Sequence, residues 1–274
     1  MAVGESTVLI PAAILATIEL ADVSWHMVLL EGLRRVAAAD PDYLPALAAQ
    51  DYLPTASRLL AAFAQPRDAV RYVLVGEGPY PRAASATGVC FMDGAVGALW
   101  SQNGLSKPVN RATSLRNFIK MLLVADGTLD ADHTTGDVLA QVGSAALETQ
   151  SSRIQTLLQL QHNLTRHGFL LLNASLVFRT DVAPAKDARA WLPFLTTILT
   201  ALAANEACLP TLVLWGKIAA QINAQVETFS ALARLPRVVA EHPYNLTFIR
   251  NQHMHDFFRP MKLLENDAVL ARRP

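Results

Sequence analysis

Cysteine is scarce in this 274-residue chain, which contains only Cys90 and Cys208. The two lie far apart and in no Cys-x-x-Cys spacing, so a disulfide framework, a zinc site and a four-cysteine iron–sulfur cluster have no support. The sequence therefore predicts that the protein uses no metal and no cofactor. We expect both thiols to be small buried groups in a reducing cytoplasm.

Net charge and long apolar runs are also missing. The 23 Lys and Arg residues balance the 23 Asp and Glu residues, so no overall positive field attracts a polyanion, although a local basic groove is compatible with this balance. No run approaches the roughly 20 uncharged apolar residues that a membrane-spanning helix needs. The apolar stretch Val8–Leu20 lacks the basic start of a secretory signal. These absences predict a cytoplasmic protein.

Apolar residues are abundant, at 52% of the chain, and this is ample for a buried core. Four short apolar runs have the length of strands, and the first three are almost continuously hydrophobic. Such runs are typical of parallel strands that are covered on both faces. The runs are Arg71–Gly76, Gly168–Asn173, Thr211–Gly216 and Arg237–Glu241.

Segments with helical spacing lie before and between these runs. The chain is predicted to be helical up to about residue 65, and Ser114–Val124 is predicted to be a helix with Ser114 as its N-cap. The other predicted helices are Ser151–His167, Asp187–Asn205, Lys217–Ala233 and Asn251–Glu265.

Helices that alternate with parallel strands predict an α/β fold. We expect a three-layer α/β/α arrangement around a central four-stranded parallel sheet, with residues 1–274 forming a single domain. The segment Asp93–Thr113 is rich in Gly, Ser and Asn, and it is predicted to be a long functional loop.

Polar side chains follow each predicted strand. They are Glu77, Asn173, Lys217 and His242. Ligands of open parallel sheets bind beyond the carboxyl ends of the strands. An acid, an amide, a lysine and an imidazole are therefore expected at one rim of the sheet.

Five segments in register resemble the motifs of the uracil-DNA glycosylase superfamily, over nearly the whole chain. Their sequences are VLVGEGPYP with GVCF, TSLRNFIKML, GFLLLNASLVFR, LVLWGKIA and HPYNLT. They occupy Val73–Pro81 with Gly88–Phe91, Thr113–Leu122, Gly168–Arg179, Leu212–Ala219 and His242–Thr247. The resemblance implies a DNA glycosylase that flips its target nucleotide out of the stack and cleaves the base from the sugar.

The resemblance also implies residue roles in a base pocket. Phe91 would stack on the uracil face, and Tyr80 would exclude the methyl group of thymine. Asn173 would read the uracil edge with one donor and one acceptor. His242 would stabilise the negative charge that develops on uracil. The alternative for Phe91 and Tyr80 is that they are ordinary core aromatics.

The resemblance also implies residues that contact the DNA outside the base pocket. Leu246 matches the apolar wedge that takes the vacated place in the duplex. Ser114, with the preceding Asn110–Thr113, is expected to contact the DNA backbone. Lys217 and Ser85 are weaker candidates for such contacts, and Lys217 can equally be a surface residue at the start of a helix.

The first motif departs from the main family at Gly78, where that family has an aspartate. The preceding residue is Glu77, and G-E-G-P resembles the iron–sulfur branch, whose cluster cysteines are absent here. Glu77 is therefore the candidate catalytic acid, and a solvated carboxylate in a loop is the alternative. In the last motif, Tyr244 replaces a smaller serine and Asn245 replaces a proline.

These features predict a monomeric DNA glycosylase of base-excision repair. Its substrate would be uracil, or a related deaminated base, in single- or double-stranded DNA. The alternative is a catalytically silent relative that binds DNA or a protein partner. An unrelated hydrolase is a third possibility, but the absence of G-x-S-x-G argues against a serine esterase.

Overall fold

A computed structural model of the chain describes residues 10–228 and 230–266. The α-helices are α1 (Ala12–Leu15), α2 (His26–Ala39), α3 (Tyr43–Ala48), α4 (Lys107–Arg111), α5 (Thr113–Ala125), α6 (Gly136–Ala146), α7 (Leu157–Arg166), α8 (Pro184–Ala203), α9 (Lys217–Thr228) and α10 (Gln252–Phe258). The strands are β1 (Tyr72–Gly76), β2 (Trp100–Ser101), β3 (Gly104–Leu105), β4 (Phe169–Asn173), β5 (Thr211–Trp215) and β6 (Arg237–Ala240). Short 3₁₀ helices cover Ala16–Leu20, Val23–Trp25, Arg58–Phe63, Arg67–Ala69, Ser230–Arg234, Leu246–Arg250 and Arg259–Met261.

Four of the strands form one parallel sheet in the order β4-β1-β5-β6. The register of β1 and β4 runs from the pair Tyr72 and Phe169 to the pair Gly76 and Asn173. All five residues of β4 are buried, and the central residues of β1 are buried as well, as their continuous apolar runs predict. The predicted α/β fold with a four-stranded parallel sheet is therefore confirmed.

The chain divides into two compact units, each assembled from separate stretches of sequence. The first unit contains Met1–Cys90, Phe169–Val213 and Ala220–Arg237, and the second contains Phe91–Gly168, Leu214–Ala219 and Val238–Pro274. The prediction of a single domain over residues 1–274 stays a prediction.

A buried ion pair holds the first unit together after β4. Arg179 donates to both carboxylate oxygens of Asp187, at 3.2 Å from Nε and 2.5 Å from the terminal nitrogen. The Tyr43 hydroxyl donates to the same carboxylate at 2.8 Å. Because each group of the pair is hydrogen-bonded, its burial is compensated. The network ties the chain that follows β4 to α3 and to the first turn of α8.

The prediction that Asp93–Thr113 is a long loop was wrong. The segment contains β2 and β3, which pair antiparallel, and it contains α4. Ser106 caps α4 by accepting a hydrogen bond from the Val109 amide at 3.4 Å, and Pro108 occupies the first turn. The many Gly, Ser and Asn residues therefore mark a tight hairpin and a helix start.

The predicted first residues of two helices were also wrong. Helix α5 begins at Thr113 after Ala112, without a side-chain cap, so the prediction of Ser114 as the N-cap was wrong. Helix α7 begins at Leu157 instead of Ser151, because Thr156 and Gln159 form a reciprocal capping box there. Helix α6 was not predicted, since its many small residues give a weak apolar pattern. In residues 10–228 and 230–266, no helix is long and apolar enough to cross a membrane.

Candidate active site

Asn173 ends strand β4, and the pairing of β4 with β1 continues beyond it. The Ala174 amide donates to the Gly76 carbonyl at 2.8 Å, and the Ser175 amide donates to the Glu77 carbonyl at 3.1 Å. The side chain of Asn173 is only 5% exposed, and among the described residues it has no hydrogen-bond partner. Asn173 therefore has the donor and acceptor capacity of a ligand-reading group.

Gly76 lies between Asn173 and a buried thiol. A Cβ atom at Gly76 would overlap the Cys90 Sγ and lie 3.0 Å from Asn173 Oδ1, so this position has no room for a larger residue. The Cys90 amide donates to the Leu171 carbonyl at 3.0 Å. Burial raises the pKa of the Cys90 thiol to about 12. Cys90 is thus an unreactive packing group, as predicted, whereas Cys208 is half-buried.

Glu77 and Gly78 directly follow β1, and both are exposed. The Glu77 carboxylate has no hydrogen bond or ion pair within the described part of the chain. Gly78 is not in the left-handed region, and a Cβ atom there would lie 3.5 Å from Ser175 Cβ, which is ordinary van der Waals contact. The backbone therefore does not require glycine at position 78. Tyr80, two residues further on, is half-buried.

Phe91 has a left-handed backbone with φ of +67°. This conformation costs a non-glycine residue roughly 1–2 kcal/mol, and such strain clusters at functional sites. The Phe91 ring makes edge-on contacts with Phe118 and Trp215, with centroids at 5.4 and 5.5 Å. These contacts hold the ring in a fixed direction.

His242 follows β6 and is half-buried. The Tyr244 amide donates to His242 Nδ1 at 3.1 Å. Because Nδ1 accepts this bond, a neutral ring carries its proton on Nε2. Behind the ring lies Gly216, with φ of +64°, where a Cβ atom would come within 2.8 Å of His242 Cβ.

Asn117, on α5, is completely buried and holds the loop that contains His242. Its Nδ2 donates to the carbonyls of Pro243, Tyr244 and Asn245 at 2.8, 3.3 and 3.4 Å. Its Oδ1 accepts a hydrogen bond from Arg116 Nε at 3.2 Å. The sequence prediction missed Asn117, although a polar residue on the apolar face of a helix signals buried partners.

The predicted DNA-contacting residues differ in exposure. Leu246 is 67% exposed, and Lys217 is exposed at the first position of α9. Ser114 is half-buried. Ser85 is completely buried, and its hydroxyl has no hydrogen-bond partner in residues 10–228 and 230–266, so it does not present a donor to a DNA backbone.

The strand order relates the four predicted rim residues in pairs. Glu77 follows β1 and Asn173 ends the neighbouring strand β4, and Lys217 and His242 follow the neighbouring strands β5 and β6. Within the described residues, no three His, Cys, Asp or Glu side chains come together as a set of metal ligands.

Known proteins resemble the chain in sequence and in structure, although no family model matches it. The crystal structure of the wild-type UNG from Nitratifractor salsuginis is 40% identical, with a TM-score of 0.80 over 92% of this chain and 96% of that one. The uracil-DNA glycosylase of Corynebacterium glutamicum is 26% identical over 74% of each chain. The uracil-DNA glycosylase of Mycobacterium sp. (strain KMS) is 26% identical over 85% of each.

Proposed function

Because this chain belongs to the uracil-DNA glycosylase superfamily, we propose that it hydrolyses the N-glycosidic bond of uracil, or of a related deaminated base, in DNA. Relatives that are named for this activity, and that match most of the chain, favour it over the catalytically silent alternative. The protein would thus act in base-excision repair on a nucleotide flipped out of the stack.

The buried amide of Asn173 is the observation that carries the proposal. Uracil presents an N–H donor next to a carbonyl acceptor on its Watson–Crick edge, and one amide can bind both. An amide that is 5% exposed and has no protein partner among the described residues can form such bonds without breaking a hydrogen bond of the protein. Cytosine presents the reverse pair, an acceptor at N3 and a donor at N4, so an amide held in the orientation that suits uracil would discriminate against it. Phe91 would stack on the base, and Tyr80 would occupy the space beside C5.

His242 is proposed to stabilise the departing base. When the bond from C1′ to the base breaks, the electron pair leaves with uracil and the sugar becomes cationic. The Nε2–H of a neutral His242 donates to the oxygen that gains negative charge, and the Tyr244 amide maintains this tautomer through Nδ1. A preorganised donor of this kind contributes roughly 10²- to 10³-fold to the rate.

Glu77 is proposed to complete the hydrolysis. A water molecule oriented by its carboxylate forms the new bond to C1′ while the carboxylate accepts the proton that the water loses, and before this transfer the negative charge of Glu77 offsets the positive charge of the sugar. The carboxylate is exposed and has no ion pair in the described part of the chain, so it can bind water. Leu246, Ser114 and Lys217 would contact the DNA. A monomer in the cytoplasm is part of the same proposal.

A base-release assay on single- and double-stranded oligonucleotides containing uracil tests these roles. We expect release by wild type, and a loss of roughly 10²-fold or more in kcat for His242→Ala and Asn173→Ala. Glu77→Ala is compared with Glu148→Ala, which removes another exposed carboxylate. Equal rates for Glu77→Ala and wild type would refute the glutamate role alone. DNA binding without release of any deaminated base would refute the enzyme and support the silent relative.

A further inference from the structure

Tyr244 is unusual in its exposure. It is the one aromatic residue among the strongly exposed large apolar side chains of the described residues, and 67% of its surface is accessible. Its ring has no aromatic contact, and its hydroxyl no hydrogen bond, within residues 10–228 and 230–266. Leu246, two positions later, is equally exposed. The two side chains leave apolar surface next to His242 that a bound partner can cover.

The backbone that carries this ring is nevertheless fixed. The Tyr244 amide donates to His242 Nδ1 at 3.1 Å, and the Tyr244 carbonyl accepts from Asn117 Nδ2 at 3.3 Å. The neighbouring Pro243 carbonyl accepts from the same amide group at 2.8 Å. Both polar groups of the Tyr244 backbone are thus held from inside the unit, so the ring projects from a fixed backbone and only its side-chain rotamer has to be ordered on binding.

From these contacts we infer that Tyr244 is a stacking residue for a nucleobase, the base next to the flipped nucleotide in the same DNA strand. The inference rests on the proposed function, because His242 places the flipped base. Two residues of chain span at most roughly 7 Å, and this segment is shorter still because it is a turn in which the Asn245 amide donates to the His242 carbonyl at 2.9 Å. The flipped nucleotide stays bonded to its neighbours through the DNA backbone, so a ring this close to His242 lies beside the nucleotide next to the flipped one.

Stacking on an aromatic ring requires no particular base and no second strand. An alanine substitution at such a platform weakens binding by roughly 5- to 100-fold for each stacked base. Tyr244 would therefore let the protein grip single-stranded as well as duplex DNA, whichever base flanks the lesion. The serine that the resemblance places at this position in the main family has no ring for this contact.

The test measures dissociation constants by fluorescence anisotropy on single-stranded oligonucleotides that contain 2′-fluorodeoxyuridine, because the fluorine suppresses formation of the sugar cation and hence cleavage. One oligonucleotide carries normal flanking bases, and in two others one flanking nucleotide, on either side, is an abasic analogue. The proteins are wild type, Tyr244→Ala, Tyr244→Phe and Leu158→Ala, which removes another strongly exposed apolar side chain.

We expect Tyr244→Ala to bind the normal oligonucleotide roughly 5- to 100-fold more weakly than wild type. Loss of one flanking base should weaken wild type similarly and leave Tyr244→Ala nearly unaffected, because both changes remove the same contact. Tyr244→Phe should recover most of the affinity, and Leu158→Ala should bind like wild type.

Two results would overturn the inference. They are wild-type affinity of Tyr244→Ala for the normal oligonucleotide and equal sensitivity of both proteins to the missing flanking base. Base release is assayed separately on uracil oligonucleotides. Tyr244-dependent binding without base release would refute the proposed function and leave the stacking contact in place.

Discussion

The backbone amide of Tyr244 hydrogen-bonds Nδ1 of His242 at 3.1 Å, so a residue of the same loop sets the tautomer of the imidazole. The geometry of this loop in turn depends on Asn117, which donates to three of its consecutive carbonyls. A buried residue of α5 thus holds the loop whose amide hydrogen-bonds the His242 imidazole.

Replacing Asn117 tests this dependence. Asn117→Leu keeps the approximate size of the side chain and removes the donor, which leaves the loop carbonyls unsatisfied. We expect the free energy of unfolding to fall by about 1–3 kcal/mol and kcat for base release to fall as well. Urea unfolding and single-turnover assays measure the two effects.

Asn163→Leu is the matched control for Asn117→Leu. Asn163 is also a buried helical asparagine, and its Nδ2 donates to the carbonyls of Leu263 and Glu265 at 2.9 and 2.8 Å. A similar loss of stability with unchanged kcat is expected for this variant. If both variants lose kcat in equal proportion, Asn117 acts only through general stability.

A substitution at Gly216 tests whether the position of the His242 ring matters for activity. In Gly216→Ala the new methyl group would come within 2.8 Å of His242 Cβ, so the imidazole has to move. We expect kcat to fall by roughly 10-fold or more, since a displacement of about 1 Å at a reacting group can cost 10²-fold. Steady-state kinetics on a uracil oligonucleotide measures this.

Gly136→Ala separates the steric effect from the backbone effect. Gly136 has φ of +66°, close to the +64° of Gly216, but a Cβ atom there would have no atom within 4 Å. In both variants the left-handed backbone lowers the stability of the fold by roughly 1–2 kcal/mol. Only Gly216→Ala is expected to lower kcat as well. Equal kcat for the two variants would contradict the role of this space.

Gly78 offers a gain-of-function test. A side chain fits at this position, because the nearest atom to an added Cβ is 3.5 Å away. We expect Gly78→Asp to change the free energy of unfolding by no more than about 0.5 kcal/mol. In a Glu77→Ala background it should raise the rate of base release, because it returns a carboxylate next to the lost one. Gly78→Asn, which has the same shape without the charge, should not; equal rates for the two would show that the charge is irrelevant.

The environment of His167 predicts that the free energy of unfolding falls in acid. Burial lowers its pKa below the usual 6.5, and its Nε2 has no hydrogen-bond partner among the described residues. Below pH 6.5 the unfolded chain therefore binds a proton that the folded chain does not. Stability should fall as the pH drops through this range toward the folded pKa, with a slope of at most about 1.4 kcal/mol per pH unit from this group.

Urea midpoints between pH 5 and pH 7.5 measure the acid sensitivity. We expect His167→Gln to flatten the profile, because glutamine keeps a donor and does not titrate. His133→Gln is the comparison, since the side chain of His133 is 74% exposed. A wild-type profile that is unchanged by His167→Gln would remove His167 as the cause.

The strands were predictable because their signal is local. The run Thr211–Gly216 and strand β5 (Thr211–Trp215) differ by one residue, since continuous burial leaves a continuous apolar sequence. The hairpin of β2 and β3 was not predictable in this way. It buries Trp100 and Leu105 in two-residue strands, which are too short to show a period.

The positions of candidate site residues could be predicted from the sequence only at the ends of strands. Asn173 ends one apolar run and His242 directly follows another, so their position could be predicted without long-range information. The role of Asn117 depends on the Pro243 carbonyl, 126 residues away in the sequence, and no pattern on α5 specifies such a partner. The exposure of Glu77 is likewise a property of a turn, where the alternation of a strand no longer sets side-chain direction.

The burial of Cys90 makes the native protein suitable for single-point labelling. Maleimides and iodoacetamides react with thiolates, and a thiol with a pKa of about 12 forms almost none at neutral pH. Cys208 is the other cysteine of the chain and is half-buried. A fluorophore offered under mild conditions is therefore directed to Cys208, without the replacement of any residue.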